Sequence, residues 1–303
     1  MGYMVVALGG NALLRDGEGS IDDQRRSIRQ AAPHIAELYE RGHDLVFTHG
    51  NGPQVGQLLL QNEESESAYP KPLDVIGAES QAQIGYLLQQ ELRNEFGVTP
   101  ANPTTQTIVD PDDPAFDDPT KRVGPFYDEA EAAEKDFRTK EATRSNGDVG
   151  YRRVVPSPKP LEIVESEAIA TLVETGQPVI CCGGGGVPVV EEDGDLRGVE
   201  AVIDKDRGSQ VLANEIGAKQ LLILTDVEAA YRNFGTEDQE RIDSLSPEEA
   251  DELIESGEFG EGSMAPKIEA CAEFVRNGGE RAIITSLETA TEALNRNNGT
   301  IIE

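Results

Sequence analysis

Signatures that would name a chemistry outright are missing from this chain. It holds no G-x-x-x-x-G-K-[ST] phosphate loop, no G-x-G-x-x-G dinucleotide fingerprint and no serine or cysteine elbow. Cysteine is confined to Cys181, Cys182 and Cys271 without C-x-x-C spacing, which argues against a disulfide or zinc framework and predicts structural thiols. The three histidines, His34, His43 and His49, lack metal-ligand spacing, and His49 reads more readily as a structural hydrogen-bonder than as a base. No run approaches the roughly 18 apolar residues of a membrane span, and no basic-then-apolar leader opens the chain, so a soluble cytoplasmic protein is expected.

Positive charge is scarce as well. Lysine and arginine number 26 against 57 acidic residues, a net charge of −31. That balance argues against nucleic acid and anionic membrane as partners. A disordered acidic chain is excluded because apolar periodic segments continue from end to end. Adaptation to concentrated salt fits better, since the Debye length shrinks from about 30 Å in dilute buffer to about 3 Å near 1 M. Only eight of the 26 basic residues are lysine, at positions 71, 121, 135, 140, 159, 205, 219 and 267.

What is present is a repeated strand-then-glycine pattern. Met4–Leu8 is an unbroken apolar run, the mark of a strand buried on both faces, and it leads into Gly9-Gly10-Asn11. Asp44–Thr48 leads likewise into His49-Gly50-Asn51-Gly52-Pro53, and Pro178–Cys182 into Gly183–Gly186. Glycine leaves backbone N–H groups uncovered, and ligands of parallel sheets bind beyond the carboxyl ends of the strands. Three such turns converging on one anionic ligand is the functional reading; ordinary turns are the bland one.

Between these strands the periodicity predicts helices near 22–41, opened by a Ser20/Asp23 capping box, and near 74–96, 163–175, 206–216, 247–256, 266–277 and 287–295. Further strands are expected at 198–203, 220–224, 281–285 and 299–302. Pro53 suits a first helical turn, which would put Gly50-Asn51-Gly52 at a helix N-terminus that favours anions. Strand and helix alternate throughout, so the expected class is α/β with a mostly parallel sheet and helices on both faces. Residues 110–155 break the rhythm with Asp-Pro turns and read as a small insert, with Phe116, Val123, Phe126, Tyr127 and Phe137 as its own cluster.

The chemistry-bearing candidates are few. Asp204-Lys205-Asp206 sits between an apolar segment and a helix, and reads either as an exposed turn capped by Asp206 or as a lysine held between carboxylates. Gly260–Lys267 is a glycine-rich loop running into a helix with Lys267 in its first turn, either a mobile loop or a phosphate site. In a sequence that has shed lysine the remaining ones are more readily those kept for a task, and Lys121, Lys205 and Lys267 each lie beside glycine, proline or acidic residues at loop-to-helix junctions. An inventory of glycine donors, lysines and carboxylates, with no nucleophile or base, matches phosphoryl transfer, where the enzyme positions groups and neutralises oxygen charge.

These residues carry a family likeness. Ala7–Leu13, Thr48–Gly56, Asp113–Phe116 with Pro119-Thr120-Lys121, Val155–Pro158, Gly183–Val189, Gly198–Asp206 and Gly262–Met264 with Pro266-Lys267 together resemble the amino acid kinase superfamily, and within it the carbamate kinase branch. The resemblance spans residues 1–303. It implies a three-layer αβα sandwich around an eight-stranded sheet, a protruding lid subdomain at 110–155, and a homodimer. It implies reversible phosphoryl transfer between ATP and carbamate giving ADP and carbamoyl phosphate, run toward ATP in arginine fermentation. Mg²⁺ would be held through the nucleotide phosphates, with no direct protein ligand.

By the same resemblance Gly9, Gly10 and Asn11 would face the transferring group, and Gly50, Asn51 and Gly52 would bind the carbamate end. Lys205 and Lys267 would neutralise the phosphates, with Asp206 orienting both and Asp204 in support, and Lys121 would swing over the substrate. Tyr231, Met264 and Gly262, with the two lysines, would form the nucleotide site. Ala7 stands where many relatives in the superfamily have a lysine, an absence the carbamate kinase branch shares, and Lys121 is its natural substitute. Rival readings are another small-acid or phosphate kinase of the superfamily, a non-catalytic nucleotide-binding regulator, and an enzyme running toward carbamoyl phosphate.

Overall fold

In a computed structural model of the chain, residues 2–9, 20–65, 67, 69–144, 147–259 and 264–303 are described. In chain order the elements are β1 (Tyr3–Leu8), α1 (Ile21–Glu40), β2 (Asp44–His49), α2 (Gly52–Glu64), α3 (Leu73–Phe96) and β3 (Gln106–Val109). They continue with β4 (Lys121–Tyr127), α4 (Glu129–Ala133), β5 (Thr139–Thr143), β6 (Val149–Val155), β7 (Pro160–Ile163), α5 (Ser166–Glu174), β8 (Val179–Ile180), β9 (Val187–Glu192) and β10 (Asp195–Gly198). The last third holds α6 (Lys205–Glu215), β11 (Gln220–Thr225), β12 (Ala230–Arg232), β13 (Glu240–Ile242), β14 (Ser244–Leu245), α7 (Pro247–Glu255), α8 (Met264–Arg276), β15 (Arg281–Ser286), α9 (Ala290–Leu294) and β16 (Thr300–Ile302).

The main sheet runs β14-β16-β15-β11-β1-β2-β8, parallel from β15 to β8. Strand alternation sorts its side chains into two cores. Met4, Val6, Leu8, Phe47 and Leu222 pack with Ile28, Ile35 and Leu38 of α1, Leu87 and Leu88 of α3 and Ala290 of α9. Val5, Ala7, Val46, Leu221 and Ile223 pack on the opposite face with Ile169 of α5, Leu212 of α6, Leu253 of α7 and Phe274 of α8. The sheet is therefore sandwiched between helical layers, and its unbroken apolar strands follow from burial on both faces.

Local signals behave as read in several places. Ser20 and Asp23 form the reciprocal capping box of α1, and Pro53 lies in the first turn of α2. All three thiols are buried, and that burial pushes each of them up, away from a reactive thiolate.

Other expectations are corrected. The main sheet has seven strands among the described residues rather than eight. An eighth position is reduced to a bridge, Ala101 pairing with Val179, because Pro100 and Pro103 flank it and contribute no N–H. Residues 199–203, apolar enough for a strand, run without ladder partners; Val202 donates instead to the Pro156 carbonyl at 3.0 Å. Pro160–Ile163 is a strand of a second sheet, β10-β9-β3-β7, so α5 starts three residues later than its periodicity suggests. Strands β4, β6 and β5 form a three-stranded antiparallel sheet within residues 110–155. In that segment Tyr127 and Phe137 meet at 6.0 Å, but Phe116 packs instead on Val109, Val190 and Ile203 of the main body.

Candidate active site

The parallel strands deliver their carboxyl ends to one edge, and two of the glycine turns adjoin there. Gly50 donates to the Leu8 carbonyl at 3.2 Å, tying the end of β2 to that of β1. Gly9 is needed for close approach: a Cβ there would lie 2.5 Å from the Leu224 carbonyl oxygen at the end of β11. Gly10 and Asn11, the other members of that candidate loop, lie outside the described residues. Gly50-Asn51-Gly52 leads into α2, with Asn51 as its N-cap residue, and the Asn51 side chain donates to Ser80 Oγ at 2.8 Å.

The third turn behaves differently from the cradle expected of it. Gly183–Gly186 is buried throughout, under His49, Asn51, Ile203 and Thr107. At Gly185 the backbone is left-handed (φ +89°), and a Cβ would sit 2.7 Å from Ile203. The run is glycine because its neighbours leave no room, and only Gly184 reaches the pocket.

That pocket, about 230 Å³, is lined by Gly50, Asn51, Gly52 and Gly184 together with Lys121, Asp204, Lys205, Asp206 and Lys267. Asp206, 3 % exposed, takes the Lys205 ammonium on one carboxylate oxygen and that of Lys267 on the other, the latter at 3.1 Å. Asp204 is the N-cap of α6, a role expected of Asp206: its Oδ1 accepts the Asp206 amide at 3.0 Å, while Oδ2 holds Lys121 at 3.0 Å. Burial pushes the Asp204 carboxyl up, but Lys121, Lys205 and the Asp206 amide together outweigh it and hold the group at about 2. Lys121 opens strand β4 instead of a helix, so this ion pair ties residues 110–155 to the main body.

His49 lies beneath the glycine wall, 1 % exposed. Burial lowers its imidazole to about 4, the Gly50 carbonyl opposing and the Lys205 ammonium reinforcing the shift. The carbonyl can only accept, so the contact of Nδ1 with Gly50 O at 3.0 Å places the proton on Nδ1. His49 is therefore neutral and structural, as its sequence context suggested.

A second cleft, about 790 Å³, is lined by Thr225, Asp226, Val227, Tyr231, Phe234, Phe259 and Met264 among others. Met264 and Lys267, three residues apart on α8, face the large and small spaces respectively, so the first turn of one helix borders both. Tyr231 and Met264 thus share one cleft, whereas Lys205 and Lys267, grouped with them in the sequence reading, belong to the other. Gly262 lies outside the described residues. The sequence reading missed Phe234, exposed on the turn between β12 and β13 with its ring 6.0 Å from that of Tyr231. The available signal was Asn233-Phe234-Gly235, whose flanking residues both take positive φ. Among the described residues no cluster of three or more His, Cys, Asp or Glu is arranged to hold a metal ion, and no helix is long and apolar enough to cross a membrane.

Comparison with known proteins adds a family to this description. The profile of the Amino acid kinase family matches residues 2–286. The carbamate kinase of Halobacterium salinarum is 72% identical, the alignment covering 100% of this chain and 98% of that one. The carbamate kinase of Pyrococcus horikoshii is 48% identical over 98% of each. Among solved structures, carbamate kinase from Giardia lamblia bound to AMP-PNP superimposes with a TM-score of 0.90 at 43% identity, covering 99% of this chain and 98% of that one.

Proposed function

The chain belongs to the amino acid kinase family, and we propose that it catalyses reversible phosphoryl transfer between ATP and carbamate, giving ADP and carbamoyl phosphate. The observation that carries this reading is the small pocket itself. Gly50, Asn51 and Gly52, at the start of α2, line one space of about 230 Å³ together with Lys121, Lys205 and Lys267, a helix N-terminus and three ammonium groups around a volume suited to a planar anion and one phosphoryl group.

Carbamate is already an anionic oxygen nucleophile, so a site without a general base is sufficient. Gly50-Asn51-Gly52 would hold it, with Gly9, Gly10 and Asn11 facing the migrating group. Lys205 and Lys267 would compensate the charge that builds on the transferring oxygens, and Asp206 fixes both in advance of substrate. Lys121 would close over the substrate on residues 110–155, acting as a lid subdomain, with Asp204 receiving it. The nucleotide base would occupy the larger cleft against Tyr231 and Met264. Both oxygens of Asp204 and both of Asp206 already have partners, so Mg²⁺ would be held by the nucleotide phosphates and would offset their charge. A homodimer in the cytoplasm running toward ATP completes the reading.

The test is ATP formation from ADP and carbamoyl phosphate in molar KCl. The wild-type chain should turn over, and Lys205→Ala should lose about 10²- to 10³-fold in kcat, the cost of removing one preorganised charge partner. A wild-type chain that binds ATP without turnover, or full activity in Lys205→Ala at matched folding, overturns the proposal.

A further inference from the structure

Two hydroxyls behind the pocket have so far been given no task. Thr48 and Ser209 are both 0 % exposed, and their side-chain oxygens meet at 2.6 Å. Ser209 Oγ also donates to the Lys205 carbonyl at 2.6 Å. A hydroxyl has one hydrogen. Since that of Ser209 goes to the carbonyl, Thr48 is the donor to Ser209, and a directed chain runs from Thr48 through Ser209 to the backbone of Lys205.

The chain spans two walls of the pocket. Thr48 is the penultimate residue of β2, immediately before His49-Gly50-Asn51, and Ser209 lies one helical turn after Lys205 on α6. Thr48 shares its strand face with Val46, which sits in the apolar core. Valine would fill such a position equally well, and a buried hydroxyl there is costly unless it is bonded. On the other side α6 has no slack, because a Cβ on Gly208 would lie 2.8 Å from the Cα of Gly185.

We propose that Thr48 and Ser209 are positioning residues, which hold the Lys205–Asp206 turn in register with the Gly50–Asn51 turn so that phosphate compensation and acceptor stay in line. The inference rests on the phosphoryl-transfer reading above. A misplacement of about 1 Å between such groups costs on the order of 10²-fold in rate.

The test compares Thr48→Val, which removes only the hydroxyl, with Thr48→Ser, which keeps it. In the ADP plus carbamoyl phosphate assay at molar KCl, Thr48→Val should lose about 10- to 100-fold in kcat, with both KM values within about twofold. Thr48→Ser should return to within about threefold of wild type, a rescue that lost packing would not give. Ser209→Ala cuts the same chain, so Thr48→Val/Ser209→Ala should be no slower than Ser209→Ala alone, and if Thr48→Val folds poorly, Ser209→Ala by itself should show the same loss in kcat at unchanged KM. Wild-type kcat in Thr48→Val, equal loss in Thr48→Ser, or multiplicative losses in the double variant would each overturn the inference while leaving the function intact. An inactive wild-type chain would instead overturn the function, and the inference with it.

Discussion

Replacing Asp206 by asparagine tests the electrostatic centre of the pocket directly. The side chain is 4% exposed, those of its partners Lys267 and Lys205 8% and 14%, so solvent does little to screen the group. The amide removes the negative charge and turns an N–H₂ toward one of the two ammonium groups. Breaking a buried ion pair from one side costs about 3–5 kcal/mol. Two unit charges about 5 Å apart interact by about 3 kcal/mol at an effective dielectric near 20, so repulsion between two uncompensated ammonium groups is of the same order. A destabilisation of about 3–5 kcal/mol is therefore expected in urea unfolding at constant molar KCl. Asp206→Asn/Lys267→Met should be more stable than Asp206→Asn alone, because an uncompensated charge has been replaced by an apolar chain of similar length. ADP should stabilise Asp206→Asn at least as much as wild type, since its phosphates supply the missing charge. A loss below about 1 kcal/mol, or a double variant weaker than the single one, would refute the claim that these lysines depend on Asp206.

Three further outcomes are expected. Lys121→Ala should change stability by no more than about 1 kcal/mol, because its ion pair with Asp204 is 44% exposed on the lysine side, yet it should lower kcat by orders of magnitude if Lys121 closes over substrate; unchanged turnover would remove it from the mechanism. His49 is held near 4 in the folded chain against 6.5 ordinarily, so the unfolded state binds the proton first and stability falls as pH drops from about 6.5 toward 4; at pH 5 the loss relative to pH 7 is about 2 kcal/mol, absent in His49→Gln. The Asp204 carboxylate, held at about 2, contributes above its unfolded value of 3.8 and is lost only as pH falls from there toward 2, outside that window. With a net charge of −31, the thermal midpoint should rise between about 0.1 M and 2 M KCl, as the Debye length falls below the spacing of surface carboxylates; a flat or falling midpoint would contradict salt adaptation.

How much of the site could be read beforehand depends on the range of the interaction that forms it. β1, β2, β11 and β15 were legible because burial on both faces leaves an uninterrupted apolar run, and the α1 cap because Ser20 and Asp23 are three residues apart. The second sheet was less legible. β7 begins with a proline and is a strand only because β3 pairs with it across some fifty residues, while the apolar run at 199–203 finds no such partner. The glycine run at 183–186 shows the same limit from the other side. Composition is identical whether glycine bares an amide to a ligand or makes room for Ile203 and Thr107, and only packing separates the two. Lysine scarcity pointed to Lys121, Lys205 and Lys267, but not to their pairing, in which Lys267 shares Asp206 with Lys205 and Lys121 goes to Asp204. That choice is made where β4, α6 and α8 meet. The Thr48–Ser209 link lies deeper still: in a one-dimensional pattern Thr48 is merely another strand former, and its hydroxyl acquires meaning only when α6 brings Ser209 to 2.6 Å. Residue types that carry charge betray a site through their rarity, whereas residues that align it are common, apolar in company and visible only once folded.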